Sequence, residues 1–480
     1  MNYDYIVIGA GSAGLSFAAL MEKKGKTVCV LEAHTIPGGC SSWFEREGFI
    51  FDAGATTLSG FKDERPLVKL KNELNLNLDL RKIDPGIISV IKNKKIHRYS
   101  DSTRWTEELE LNFPGINHKD LWKKFKEIEE RGWILSTSFK NIPIRSFKNI
   151  FSFISTKTPT ALKTVPEIFK SVESELVKYN IKDQDYLSMI DEMLFITAQN
   201  HRKDSPLLMG AMGLCYPEDT WYAMGGMKAF SESIAKRCSQ IFYRHEVQKI
   251  IKTDTGFKVV TKNAEFTSSK IVSTIPSWNL EKLFDDPKAK KRLTKELTEP
   301  KESWSAFMIY LTIPKDLSRK GLYYQIHTPE IPNCHTHSFF VSLSHPEDQI
   351  RSHGNRQVVT ISTHTKPESW LNLEASDYLK KKEEAKNLIL NSLKEHFKLS
   401  DSDLQNIITG SPKSFIKYTK RFNGLVGGIP HSVKRNPLNY LIAKSPYKNF
   451  YMLGDTQFPG QGIAAVILGA MNLVDYLSDD

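Results

Sequence analysis

Between Tyr3 and Glu32 the chain reads YDYIVIGAGSAGLSFAALMEKKGKTVCVLE, and this order of residue types leaves little conformational choice. A short apolar, β-rich run ends at three glycines. An apolar segment of helical spacing follows, and a second buried strand closes on an acid. Gly9 permits a tight turn, Gly11 lets a diphosphate approach the backbone, and Gly14 lets helix and strand pack closely. The helix start at Ser12 and Ala13 offers free N–H groups and a partial positive charge to phosphate. Glu32 stands where a carboxylate accepts from both ribose hydroxyls, and an acid there argues against a 2′-phosphate. A lone glycine pattern is weak evidence. Strand, glycines, helix, strand and acid in order within about thirty residues predict a Rossmann-like α/β fold holding an adenine dinucleotide.

A second glycine pair follows in IPGGCSSWFEREGFIFDAGATTLSG. Gly38, Gly39, Cys40 and Ser41, with Ser42, add backbone donors and hydroxyls for the same diphosphate, and FDAGAT places small residues where a flat ring needs clearance. This order resembles the FAD-binding entry of the amine oxidase and phytoene desaturase superfamily, which implies FAD rather than NAD. No second G-x-G-x-x-G exists; between Gly60 and Gly210 the only glycines are Gly86, Gly115 and Gly132. A separate nicotinamide domain is therefore not expected. Cys40 is read as a small residue that fits its turn, not as a redox or covalent flavin site.

The C-terminal stretch YMLGDTQFPGQGIAAVILGAMNLVDYL repeats the theme. A short strand is expected to turn at Gly454, where Asp455 can accept from a ribityl hydroxyl. A helix beginning near Gly462 and Ile463 can aim its N–H groups at the flavin N1–C2=O edge, which becomes anionic on reduction. The two chain ends thus hold opposite ends of one cofactor. In the same superfamily the strand carrying Val247 offers backbone groups to the adenine, so the FAD lobe is expected from residues 1–75, 205–275 and 440–480. An inserted α+β substrate lobe is expected from 76–204 and 276–439.

GGCSSWFEREGFIFDAG, YPEDTWYAMGGM and LGDTQFPGQGIAAV look like the carotenoid isomerase branch of the phytoene desaturase family. The resemblance implies an FAD-dependent enzyme working on a long apolar polyene, a carotenoid or related isoprenoid. Cis–trans isomerisation with reduced flavin is favoured over desaturation or a retinol-type saturation. The electron partner and the catalytic residues stay unassigned. A lipid-binding chaperone of the Rab escort type shares the fold but would not need residues 455–463. An amine oxidase acting on a polar amine would want an aromatic cage near the ring.

Bulk properties narrow the surroundings. At 480 residues two or more lobes are expected. The five cysteines are scattered without a C-x-x-C, so neither a disulfide framework nor zinc is suggested. NCHTH, residues 333–337, would put His335 and His337 on one strand face, but no further ligand cluster accompanies them and no metal is expected. The opening lacks a secretory pattern and no apolar run suits a membrane span, so a cytoplasmic protein is expected, or one resting on a membrane's cytosolic face. The net charge of +11 comes without a zinc finger, an RNP motif or an arginine cluster, which argues against nucleic acid. In 139–170 the cations Lys140, Arg145, Lys148, Lys157, Lys163 and Lys170 face Glu167 alone, with Phe147, Ile150, Phe151, Phe153 and Ile154 among them. Peripheral contact with an anionic membrane is expected there.

Overall fold

Two seven-stranded sheets divide the molecule. The structure, a computed structural model, describes residues 2–138, 143, 158–297, 302–436 and 445–478. In the first sheet, strand Asn2–Ile8 lies between Val28–Leu31 and Glu265–Ser273, parallel to both. The far edge of Glu265–Ser273 is shared: its first half pairs antiparallel with Phe257–Thr261, and its last three residues pair parallel with Phe450–Met452. Val28–Leu31 is buried along its whole length, as a parallel strand covered on both faces requires. Helices Ser12–Lys23, Gly226–Ala235 and Ile463–Ser478 cover one face through Leu15, Phe17, Phe230, Ile467 and Leu473. Helix Ser12–Lys23 packs on Ile463–Ser478, so both glycine-rich ends of the chain lie side by side.

The second sheet runs in the order Gln405–Gly410, Ser305–Pro314, Arg356–Thr365, Ser338–Leu343, Tyr323–His327, Ile87–Ile91, Lys94–Arg98. Strand Ser305–Pro314 shows the two-residue period of a strand with two different neighbours. Phe307, Ile309, Leu311 and Ile313 face Ala385, Ile389 and Leu393 of helix Ala375–Phe397, whereas Ala306, Met308 and Tyr310 face the first lobe. Helices His118–Ser138, Gln184–Ala198 and Leu207–Cys215 form a further layer around Leu121, Phe125, Ile190, Leu194 and Leu214. Among the described residues no helix is long and apolar enough to cross a membrane.

Packing redraws the expected lobe boundaries in two places. Helix Leu207–Cys215, grouped from sequence with the FAD lobe, buries its apolar face in the helical layer beside Val172 and Leu194. Residues 277–297, grouped with the substrate lobe, return Leu280, Leu283, Phe284, Ala289 and Leu293 to the uncovered face of the first sheet. That face would otherwise expose Ile6, Ile8 and Ile271, so local apolar demand decides where the segment goes. Cys334 to His337 also differs from the strand expected there. The segment turns, with His335 at φ 58°, before the strand Ser338–Leu343 begins.

Candidate active site between the sheets

A cavity of about 1140 Å³ lies where the two sheets face each other. It exceeds the ~300–1,000 Å³ of a typical single-ligand pocket, leaving room for a cofactor and a second ligand. Gly9, Gly11, Ser12, Ala13, Glu32, Gly38, Gly39, Cys40, Ser41, Val247, Gly454, Asp455, Gly462 and Ile463 all line it. Gly14 does not. It sits against the first strand, where an added Cβ would fall 2.1 Å from the carbonyl oxygen of Gly9.

The N-terminal wall is built from short backbone links. Gly38 donates to the Ala10 carbonyl at 2.8 Å, which lays the second glycine pair against the first. At φ 114°, Gly38 adopts a conformation that a side chain would strain, and a Cβ there would also strike Ser41 and Ser42. The carbonyl of Cys40 accepts from Ala55 N at 3.1 Å, bringing the FDAGAT segment over the same loop. The Glu32 carboxylate accepts from Ala10 N and His34 N, both at 2.7 Å. These two amides fix its orientation on the cavity wall, and a carboxylate has further lone pairs to offer. Val247 enters the wall at a bulge, where its strand shifts register against Phe257–Thr261.

Asp455, expected to accept from a ribityl hydroxyl, also accepts from Arg421 Nη2 at 2.8 Å, and its carboxylate keeps further lone pairs. Gly462, at φ 95°, turns the chain into helix Ile463–Ser478, whose first-turn N–H groups have no intrahelical partner. Burial pushes the Cys40 thiol up, with the Arg421 charge acting against that, so it stays protonated rather than becoming a reactive thiolate.

Beyond this region the lining turns apolar. Ile196, Leu208, Met209 and Met212 come from the helical layer, and Met308, Tyr310 and Phe340 from the second sheet. His364 and His431 also line it, and burial lowers both to about 4, so they are neutral at physiological pH. The Thr57 and Tyr216 hydroxyls, both in the lining, are hydrogen-bonded to each other. Among the described residues no group of three or more His, Cys, Asp or Glu side chains could hold a metal ion. Sequence reasoning missed Arg421, His364 and His431. For Arg421 a signal was available: RFNGLVGG carries three glycines, all at positive φ, which is the mark of a loop drawn close to something.

The donor set fits an extended dinucleotide. An added Cβ on Gly11 or Gly462 would meet no protein atom within 4 Å, so both backbones open onto free space. Ser12 Oγ is buried beside Gly11 without a hydrogen-bond partner among the described residues. A buried hydroxyl normally has a partner, and a phosphate oxygen would supply one.

Comparison with known proteins gives the same direction. The protein named prolycopene isomerase, chloroplastic, of Daucus carota is 27% identical over 502 residues, spanning 97% of this chain and 78% of that one. The all-trans-retinol 13,14-reductase of Danio rerio is 22% identical, spanning 98% of this chain and 85% of its own. A solved oxidoreductase from Methanosarcina mazei superposes with a TM-score of 0.63 at 16% identity, covering 99% of this chain and all of that one, and so shares the fold. The family described as flavin containing amine oxidoreductase matches residues 12–467. The chain belongs to that family, and FAD is its cofactor.

Proposed function

We propose that this protein is an FAD-dependent enzyme that takes a long apolar polyene, a carotenoid or related isoprenoid, and isomerises a cis double bond to trans without net redox change. The observation that carries the proposal is the continuity of one cavity. It runs from the glycine-rich loops at both chain ends into a chamber walled by Ile196, Leu208, Met209, Met212, Met308 and Phe340. A wall of this kind offers burial and little hydrogen bonding, which suits a hydrocarbon and disfavours a polar amine. The names of the isomerase and retinol reductase relatives support the same substrate class.

FAD, when bound, supplies the two-electron chemistry. The chain's own residues would do the rest. The backbone of Gly11, Ser12, Ala13, Gly38 and Gly39 holds the diphosphate, Glu32 the ribose and Val247 the adenine. Asp455 stands at the ribityl chain. The first turn of helix Ile463–Ser478 favours negative charge on the flavin edge, an effect of about 1 kcal/mol. Apolar walls exclude water, and the neutral His364 and His431 add no charge of their own to the chamber. Isomerisation consumes no electron donor or acceptor, which agrees with a chain that carries a single dinucleotide loop.

Product mass tests the proposal. Reduced enzyme, incubated anaerobically with a panel of cis-carotenoids, should convert them at unchanged mass with many turnovers per flavin. Loss of two hydrogens with an obligatory acceptor would identify a desaturase, and gain of two a saturase. Protein that neither carries nor takes up a yellow chromophore would point to a lipid-binding module.

A further inference from the structure

Of the arginines and lysines that line the cavity among the described residues, Arg421 alone is buried, at 8% exposure. It follows helix Pro412–Thr419 and reaches two distant parts of the chain. Its Nη2 donates to Asp455 Oδ2 at 2.8 Å, its Nε donates to the Leu425 carbonyl, and its charge acts on the Cys40 thiol. Cys40 belongs to the glycine pair of the N-terminal wall, and Asp455 to the turn that leads into helix Ile463–Ser478. The loop around Arg421 is pressed onto the same turn: an added Cβ on Gly428 would fall 2.0 Å from the Asp455 carbonyl oxygen. One guanidinium thus pairs with the acid of the C-terminal wall inside a cavity that Cys40 of the N-terminal wall also lines.

FAD brings a doubly charged diphosphate and, once reduced, an anionic ring edge. An Asp455 carboxylate left unpaired in this enclosed site would oppose both, because charge interactions are poorly screened away from water. We propose that Arg421 is a cofactor-positioning residue. It cancels the Asp455 carboxylate inside the cavity, so that the site accepts the anionic cofactor and above all its reduced form. This role depends on FAD as the cofactor and not on the choice of polyene, so no substrate enters its test.

The test compares Arg421→Gln, Arg421→Lys, Asp455→Asn and the double variant Arg421→Gln/Asp455→Asn as purified proteins. FAD affinity is measured by flavin fluorescence, and the midpoint potential by equilibration with a reference dye. Arg421→Gln should bind FAD at least tenfold more weakly. A further tenfold penalty on the reduced form would lower the two-electron potential by about 30 mV. Asp455→Asn should move the potential in the opposite direction. Arg421→Lys should stay close to wild type, and the double variant should recover most of the lost potential. Should Arg421→Gln fold poorly, since removing one partner strands a buried charge, the double variant and Asp455→Asn still give the signed shifts. Unchanged affinity and potential in Arg421→Gln would overturn the proposal. So would a double variant whose potential stays as low as that expected of the single, or a downward shift in Asp455→Asn.

Discussion

Gly11 and Gly14 flank the start of one helix, yet an added methyl group should have opposite fates at the two positions. At Gly14 the ideal Cβ lies 2.1 Å from Gly9 O, 3.1 Å from Thr274 Oγ1 and 3.2 Å from Val7 Cγ1. Thr274 cannot swing aside cheaply, because its hydroxyl donates to Ile8 O at 2.9 Å and to Gly9 O at 3.1 Å. The remaining obstacle is backbone, so helix Ser12–Lys23 must move off strand Asn2–Ile8. Overpacking costs about 1–3 kcal/mol, and a rigid carbonyl puts Gly14→Ala near the upper end, at about 3 kcal/mol. With a shift of roughly 2 °C per kcal/mol for a large domain, the flavin-free protein should lose about 6 °C in Tm. At Gly11, φ is −74° and the Cβ meets nothing within 4 Å, so Gly11→Ala should leave that Tm unchanged. The new methyl instead enters the space needed by the diphosphate, and FAD affinity should fall by roughly tenfold, or about 1.4 kcal/mol. Thermal unfolding of the flavin-free proteins and a fluorescence titration with FAD separate the two effects. Equal losses of Tm, or wild-type FAD affinity in Gly11→Ala, would refute the packing argument.

Other consequences follow from charge and burial. Burial lowers His327, His364, His396 and His431 to about 4, so their contribution to stability is present above the unfolded value near 6.5 and lost as pH falls toward 4. Tm should drop on acidification through this window, and His364→Asn should flatten the drop; a slope identical to wild type would count against it. Glu192 has the opposite sign. Burial raises it to about 7, so its contribution is full below 4.5 and disappears as pH rises through 7. Glu192→Gln should match wild type in urea unfolding at pH 4.5 and exceed it at pH 8, by an amount of order 3 kcal/mol. The membrane expectation falls mainly on residues 139–142 and 144–157, which lie outside the described residues. Sedimentation with anionic vesicles should show binding that is lost on replacing Lys148, Phe151 and Phe153 together, and no binding at all would end the idea.

Much of the nucleotide-binding half was legible in the sequence, because its signals are local. A change of apolar period from two to 3.6 marks strand and helix, and Gly9, Gly11 and Gly14 fall at a recognisable spacing within six residues. The same holds for Gly462 and the apolar helix Ile463–Ser478. Amphipathic spacing in residues 118–136 and 383–397 likewise agrees with the helices His118–Ser138 and Ala375–Phe397. Other features depended on contacts far apart in the chain. Ile87–Ile91 pairs with Tyr323–His327 across more than two hundred residues, and nothing near either strand announces its partner. Residues 277–297 pack on the first sheet because that sheet had an apolar face to cover, a demand set by distant strands. Asp455 could be recognised from sequence as a cavity acid, but the cation that holds it is Arg421, and only the folded chain brings both to Cys40. Sequence alone therefore determined the cofactor loops, whose geometry is written within a few residues. Tertiary structure decided the charge balance between them and the apolar chamber beyond, since both arise from side chains that meet only after the two sheets face each other.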